Sequence, residues 1–198
     1  VMVGINAGFH YRFVPYSKAV NRSVFEKDDK RYFISGALGV SSLLVANRDL
    51  VKNMGVEAKG SIGKWYTPLS AWRVNGTIMY KAKTPDKLNL HYAGLGMDYM
   101  MSLATLAKGY SRDHVIDVVP FVGVTAGLVR RRGEFKAVPG IDTGAQVKLK
   151  LGSSLDFYVE PKVGIRTETY DGMDQGRPDR VASMVGGLIY KFKMPTFK

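Results

Sequence analysis

The decisive stretch is Ile141-Asp142-Thr143-Gly144-Ala145-Gln146-Val147-Lys148-Leu149-Lys150, followed at once by Gly152-Ser153-Ser154 and then Leu155-Asp156-Phe157-Tyr158-Val159-Glu160-Pro161-Lys162-Val163-Gly164-Ile165-Arg166. Every second residue is apolar or small, and the residues between them are largely polar or charged. A period of two is the signature of a β-strand, whose side chains point alternately to its two faces. The short glycine–serine break marks a tight hairpin. Each run satisfies the ~9–11 residues that a tilted strand needs to cross a bilayer. The apolar face is therefore read as facing lipid and the charged face as facing a lumen. A soluble sheet resting one face on a core gives the same alternation; strand length and recurrence favour the membrane reading.

The pattern recurs along the chain. Trp72, Val74, Gly76, Ile78 and Tyr80 alternate with Arg73, Asn75, Thr77, Met79 and Lys81. Ala93, Leu95, Met97, Tyr99 and Met101 alternate with Gly94, Gly96, Asp98 and Met100. Further strands are read over 116–128 and 182–192, and earlier ones over 31–44 and about 56–66. Together they predict an all-β, antiparallel up-and-down transmembrane barrel of about eight strands. The residues 3–13 also alternate, and a ten-stranded barrel is the fallback if they join the wall. Residues 7–13 resemble 186–192, either by strand convergence or as the end of a preceding repeat. Turns 67–70 and 152–154 read as short, whereas 102–113, 130–140 and 169–180 read as longer loops. Such asymmetry between the two ends is usual for outer-membrane barrels.

Composition fits this reading without proving it. The chain has 198 residues, 22 glycines, 11 tyrosines and no cysteine. Disulfide scaffolds and thiolate metal sites are thereby excluded. No run approaches the ~20 apolar residues of a membrane helix. The formal charge is +12, but the only compact basic run is Arg130-Arg131-Arg132, so no nucleic-acid partner is expected. Outer-membrane lipid and anionic lipopolysaccharide headgroups are the expected partners, with other outer-membrane proteins as further candidates. No export signal is visible from Val1, so the sequence is expected to be a mature or trimmed chain. It is read as one barrel domain over 1–198, with a strand or loop of uncertain placement at 1–30 and a periplasmic tail at 193–198.

Four motifs, in order, carry a family resemblance. Gly63-Lys64-Trp65-Tyr66-Thr67-Pro68 followed by Trp72-Arg73, Asp98-Tyr99-Met100-Met101-Ser102-Leu103, Val119-Pro120-Phe121-Val122-Gly123-Val124 and Gly187-Leu188-Ile189-Tyr190-Lys191-Phe192 resemble the OmpA-like outer-membrane barrels of the Bacteroidota. The departures are Ser102 where the family usually has Asn, Ala71-Trp72-Arg73 for Gly-Leu-Arg, and Thr125 where a second glycine is usual. The resemblance implies a barrel in the bacterial outer membrane. It covers the barrel part only, and no peptidoglycan-binding domain is expected in this chain.

Two sets of site residues follow. Arg73, Asp98, Asp142, Lys148, Lys150, Asp156, Glu160, Lys162 and Arg166 are expected in the lumen, where an eight-stranded barrel has room for little beyond its own side chains. Pairs such as Lys148 or Lys150 with Asp156 and Glu160 would fill it. Trp65, Tyr66, Trp72, Tyr80, Tyr92, Tyr190 and Phe192 are expected in the interfacial belts that Trp and Tyr prefer. Catalysis is not expected. His10, His91 and His114 lie far apart, and nothing in the sequence brings His91 to Ser35 or Ser41. No metal or cofactor site is expected. The function read from the sequence is a non-enzymatic scaffold or accessory subunit of a larger outer-membrane complex. A small porin-like channel is the alternative, and a lipid-modifying barrel enzyme ranks below it.

Overall fold

The computed structural model describes residues 30–44, 54–83, 89–111, 114–131, 134–167 and 179–193. Eight strands run in order: β1 (Tyr32–Leu43), β2 (Gly55–Trp65), β3 (Ser70–Lys83), β4 (Asn89–Met101), β5 (Ile116–Arg131), β6 (Glu134–Lys150), β7 (Leu155–Arg166) and β8 (Asp179–Phe192). One short helix, α1 (Leu103–Lys108), lies between β4 and β5. Each strand pairs antiparallel with its sequence neighbour, and β8 returns to β1 to close the barrel. The closing seam runs from Tyr32 opposite Phe192 to Leu43 opposite Val181. Closure leaves no strand edge, the condition for a sheet to cross hydrocarbon. It also removes the ten-stranded alternative, because no gap remains in the wall for another pair. The stretch 3–13 lies outside the described residues.

The inner surface is concave, so neighbouring strands crowd there. At the seam Gly187 and Gly39 face inward, and a Cβ on Gly187 would fall on the Gly36 carbonyl oxygen and Ala37. A Cβ on Gly39 would likewise meet the Met184 carbonyl. Glycine at these two positions lets β1 and β8 approach closely enough to pair.

The outer surface is an apolar band to which every strand contributes. Leu38, Ile62, Ile78, Leu95, Val124, Ile141, Val163 and Met184 are all exposed, Leu95 to 70% and Leu38 to 69%. A continuous apolar girdle of this extent has no place on a protein facing water. The strands are 11 to 17 residues long, enough to span with tilt. The soluble-sandwich reading is set aside on both grounds, and the barrel is transmembrane.

The loop reading needs two corrections. Residues 130–140 are mostly strand, with β5 running to Arg131 and β6 starting at Glu134. The basic, glycine-containing sequence resembles a loop, but the ladder continues with Arg130 opposite Phe135, the guanidinium 5.5 Å from that ring. The 102–113 connection is on the end that carries the short turns, not opposite them, because the β4–β5, β2–β3 and β6–β7 links share one end by strand parity. That end, called near here, also holds Tyr32 and Phe192.

The near-end links are built from local hydrogen bonds. Thr67 Oγ1 accepts from the Ser70 and Leu69 amides, and the Leu151 and Gly152 amides donate to the Leu155 carbonyl. Ser102 caps α1 by accepting from the Thr105 amide. Serine is among the residues favoured at a helix N-cap, which suits Ser102 to this place. Asp117 on β5 accepts from Ser102 Oγ and the Ala104 amide and ties α1 to the wall. Gly109 ends the helix at φ 82°, a left-handed value suited to glycine.

Candidate functional site

The lumen is stacked in layers along the barrel axis. Nearest the near end is an apolar layer including Phe33, Ala71, Met100, Val119, Phe121, Tyr158 and Ile189. Toward the far end a second apolar layer holds Leu43, Met79, Tyr92, Val129, Val138 and Val181. Between them lies a belt of four cations, Lys59, Arg73, Lys162 and Arg166, and four carboxylates, Glu57, Asp98, Asp142 and Glu160, all buried.

Glu160 is the hub. Its carboxylate binds Lys59 Nζ, and its Oε2 lies 2.6 Å from Arg73 Nη1. The Gln146 amide donates to Oε2 at 2.9 Å. Arg73 turns its other edge to Asp98 Oδ2, with Nε at 2.9 Å and Nη2 at 2.5 Å, and Asn75 donates to the same oxygen at 2.9 Å. Lys162 meets Glu57 at 2.9 Å, and Arg166 meets Asp142 at 2.7 Å. The Phe121 ring lies under both Arg73 and Lys59, 4.9 and 5.4 Å from its centroid. Buried charges need such partners, because desolvation of each ion is expensive.

Six of the nine expected lumen residues, Arg73, Asp98, Asp142, Glu160, Lys162 and Arg166, therefore meet in the belt. Lys148, Lys150 and Asp156 do not; they line a vestibule nearer the mouth. The expected pairings are corrected accordingly. Lys148 pairs with Asp117 at 3.3 Å and Asp156 with Lys191 at 2.9 Å, while Glu160 takes Lys59 and Arg73. The expectation joined neighbouring strands; the barrel instead brings β2, β3 and β7 together across the lumen. Sequence reasoning missed Glu57, Lys59, Asp117 and Lys191. The parity of β2, in which Glu57 and Lys59 share a face with Ser61 and Gly63, was the available signal.

The aromatic set also divides. Tyr66, Trp72, Tyr80 and Tyr190 are exposed on the outer face. Trp72 packs edge-on against Tyr99 at 5.2 Å, and Phe192 lies 6.4 Å from Tyr190 and 6.1 Å from Tyr32. Lys64 Nζ sits 4.8 Å over Tyr32 and 5.2 Å over Tyr66. Trp65 is a correction: it packs against the near apolar layer inside the lumen, with Lys148 4.7 Å over its ring. Its odd-numbered place after Glu57, Lys59, Ser61 and Gly63 on β2 turns it inward. Tyr92 is a second correction. It is buried in the far layer, with its hydroxyl 2.9 Å from Thr125 Oγ1.

His91 and the two serines considered with it stand on opposite sides of the wall. His91 is on the outer face, 4.6 Å from the Tyr80 ring. Ser35 bonds Ser61 at 2.6 Å, and Ser41 bonds the Met79 sulfur at 2.6 Å, both on the lumen side.

The closed eight-stranded wall has counterparts among solved structures. The fold is that of the small eight-stranded outer-membrane barrels. Neisserial surface protein A aligns with a TM-score of 0.62 at 10% identity, covering 81% of this chain and 97% of its own. The N-terminal barrel domain of Pseudomonas aeruginosa OprF gives 0.52 at 10% identity, covering 82% and 100%. Ail, the attachment invasion locus protein of Yersinia pestis, gives 0.51 at 10% identity, covering 83% and 100%. No family model matches the sequence, and no curated protein does. The shared property is the barrel itself.

Proposed function

We propose that this chain is a bacterial outer-membrane protein with a non-enzymatic role: a closed barrel acting as a scaffold or accessory subunit of a larger outer-membrane assembly. The observation that carries the reading is the mid-lumen belt. Four cations and four carboxylates balance one another there, sealed above and below by apolar layers. A pathway for solutes would have to break the buried Arg73, Lys59 and Glu160 cluster. With the interior committed to holding the wall, the outer face and the rims are the working surfaces. Arg130, Lys136 and Arg180 stand exposed at the far rim. Lipopolysaccharide phosphates are the anions a barrel rim would meet there, and basic side chains recognise phosphate well.

Planar-bilayer recording of the purified barrel tests this. The expected result is no steady conductance above the bare membrane. A stable, reproducible open level would overturn the closed-lumen reading in favour of a small channel. Purification in a mild detergent tests the accessory role, with stoichiometric partner proteins expected to remain attached.

A further inference from the structure

A row of polar and aromatic side chains crosses the outer face at the far end of the barrel. Tyr80, His91, Arg130 and Phe135 lie on the neighbouring strands β3, β4, β5 and β6. His91 stands directly opposite Arg130 in the β4–β5 ladder, and Arg130 opposite Phe135 in the β5–β6 ladder. The Tyr80 ring lies 4.6 Å from the imidazole, and the guanidinium lies 5.5 Å from the Phe135 ring. All four point outward, since they share the parity of the exposed Ile78, Leu95, Leu128 and Ile141 on their own strands.

Arg130 is exposed and meets no carboxylate among the described residues. The carboxylates of the belt and the vestibule face the lumen, and Asp179 has the inward parity of Val181 on β8. Contact with Phe135 supports the guanidinium and leaves its N–H fork for a partner. The imidazole beside it has a ring N–H in either neutral tautomer, so it adds a donor without being protonated. A fork and a second donor side by side fit the oxygens of a phosphate. Toward mid-wall the strands of the row continue into exposed apolar side chains, Ile78, Leu95 and Leu128. A phosphate held at the row therefore has a hydrocarbon-facing surface directly beneath it.

On the reading that the far rim meets lipid phosphates, we infer that this row is a defined binding site for a membrane lipid headed by a phosphomonoester. Its phosphate rests on Arg130 and His91, and its acyl chains run along Ile78, Leu95 and Leu128. A monoester presents three acceptor oxygens to these donors. The Tyr80 and Phe135 rings flank the headgroup at the depth that amphipathic aromatics favour. Free inorganic phosphate offers the same oxygens, but it has no chains to lay against the apolar wall. The site stands whether or not the lumen conducts, so its test is separate from the conductance test.

The test uses the whole chain in a non-ionic detergent, with bound lipid counted by native mass spectrometry. Three probes are compared: dilauroyl phosphatidate (two chains and a phosphomonoester), dilauroyl phosphatidylcholine (the same chains, the phosphate capped by choline) and inorganic phosphate (no chains). Phosphatidate is expected to bind saturably, one molecule to each barrel. Phosphatidylcholine is expected to bind about tenfold more weakly or worse, the scale of one charge-assisted hydrogen bond. Inorganic phosphate in large excess is expected not to displace phosphatidate.

Arg130→Gln is expected to weaken phosphatidate by about tenfold or more. His91→Phe keeps a ring against Tyr80 and removes the donor; it is expected to weaken binding by a smaller factor, and it serves as the second variant should Arg130→Gln fold poorly. Lys64→Gln, on the outer face at the near end, is expected to leave binding unchanged. Arg180→Gln, at the far rim on β8, is expected to cost far less than Arg130→Gln. An equal cost would mean that charge spread around the rim holds the lipid, which overturns this site and leaves the rim reading standing. The site is also overturned if phosphatidylcholine or inorganic phosphate binds as well as phosphatidate, or if the folded Arg130 and His91 variants bind like the parent. Absence of any saturable phosphatidate binding would remove both the site and the rim reading.

Discussion

The charged belt at mid-lumen and the vestibule at the near end both gather lysines, arginines and carboxylates, but they differ in closure. In the belt four cations meet four carboxylates, and the ion pairs are screened from water by apolar layers on both sides. In the vestibule Lys148 pairs with Asp117 and Lys191 with Asp156 beside an open space of about 520 Å³, and these side chains stay partly accessible. A balanced, dry network fixes geometry, because every member needs its partner. Ion pairs open to water are screened and hold their partners less firmly. The same residue types thus fix the wall in one place and line an accessible cavity a few residues away.

The hub of the belt gives the largest effect. Glu160 is fully buried between Lys59 and Arg73. Glu160→Gln keeps the volume and removes the charge, leaving two buried cations facing a neutral amide. Breaking a buried pair in this way typically costs about 3–5 kcal/mol. Urea unfolding of the barrel reconstituted in lipid vesicles measures it. A loss well below that range would mean that water reaches the belt and that the lumen is less sealed than its layers imply.

How much of this was legible in the sequence depends on how far each feature reaches. Faces were legible, because alternation is local: Ile141 to Lys150 and Leu155 to Arg166 divide as their parity dictates. Strand number followed from counting such runs. Pairing within the lumen was not legible. Glu160 meets Arg73, 87 positions away, and Lys59, 101 positions away. That meeting depends on strand tilt and stagger around a closed wall, which no single strand encodes. Trp65 and Tyr92 were misplaced for another reason. Their residue type suggested a membrane belt, whereas their parity placed them inside. Parity is fixed by the backbone and prevails over the preference of a side chain.

The second test compares the lumen with the lipid face. A guanidinium is tolerated at Arg73 because Glu160 and Asp98 hold it. Leu95, on the neighbouring β4, points outward and is 70% exposed. Leu95→Arg places the same group in hydrocarbon without a partner. The expected cost is about 2–4 kcal/mol near the bilayer midplane, read from the same unfolding transition. A loss under about 1 kcal/mol would put Leu95 near an interface instead and would move the assigned membrane band along the barrel.

The smallest effect on stability is expected in the vestibule, and it separates the two regions most sharply. Asp117 carries the Lys148 contact at 3.3 Å, and both side chains are partly accessible, 16% and 13%. Asp117→Asn removes the charge while leaving an oxygen to accept from Ser102 and from the Ala104 amide at the cap of α1. Partly exposed ion pairs contribute little, so the loss should stay within about 1 kcal/mol. A carboxylate removed from the belt thus weakens the fold far more than one removed from the vestibule. Should Asp117→Asn instead destabilise the barrel as severely as Glu160→Gln, the vestibule would be a second structural network, and the contrast between the two regions would collapse.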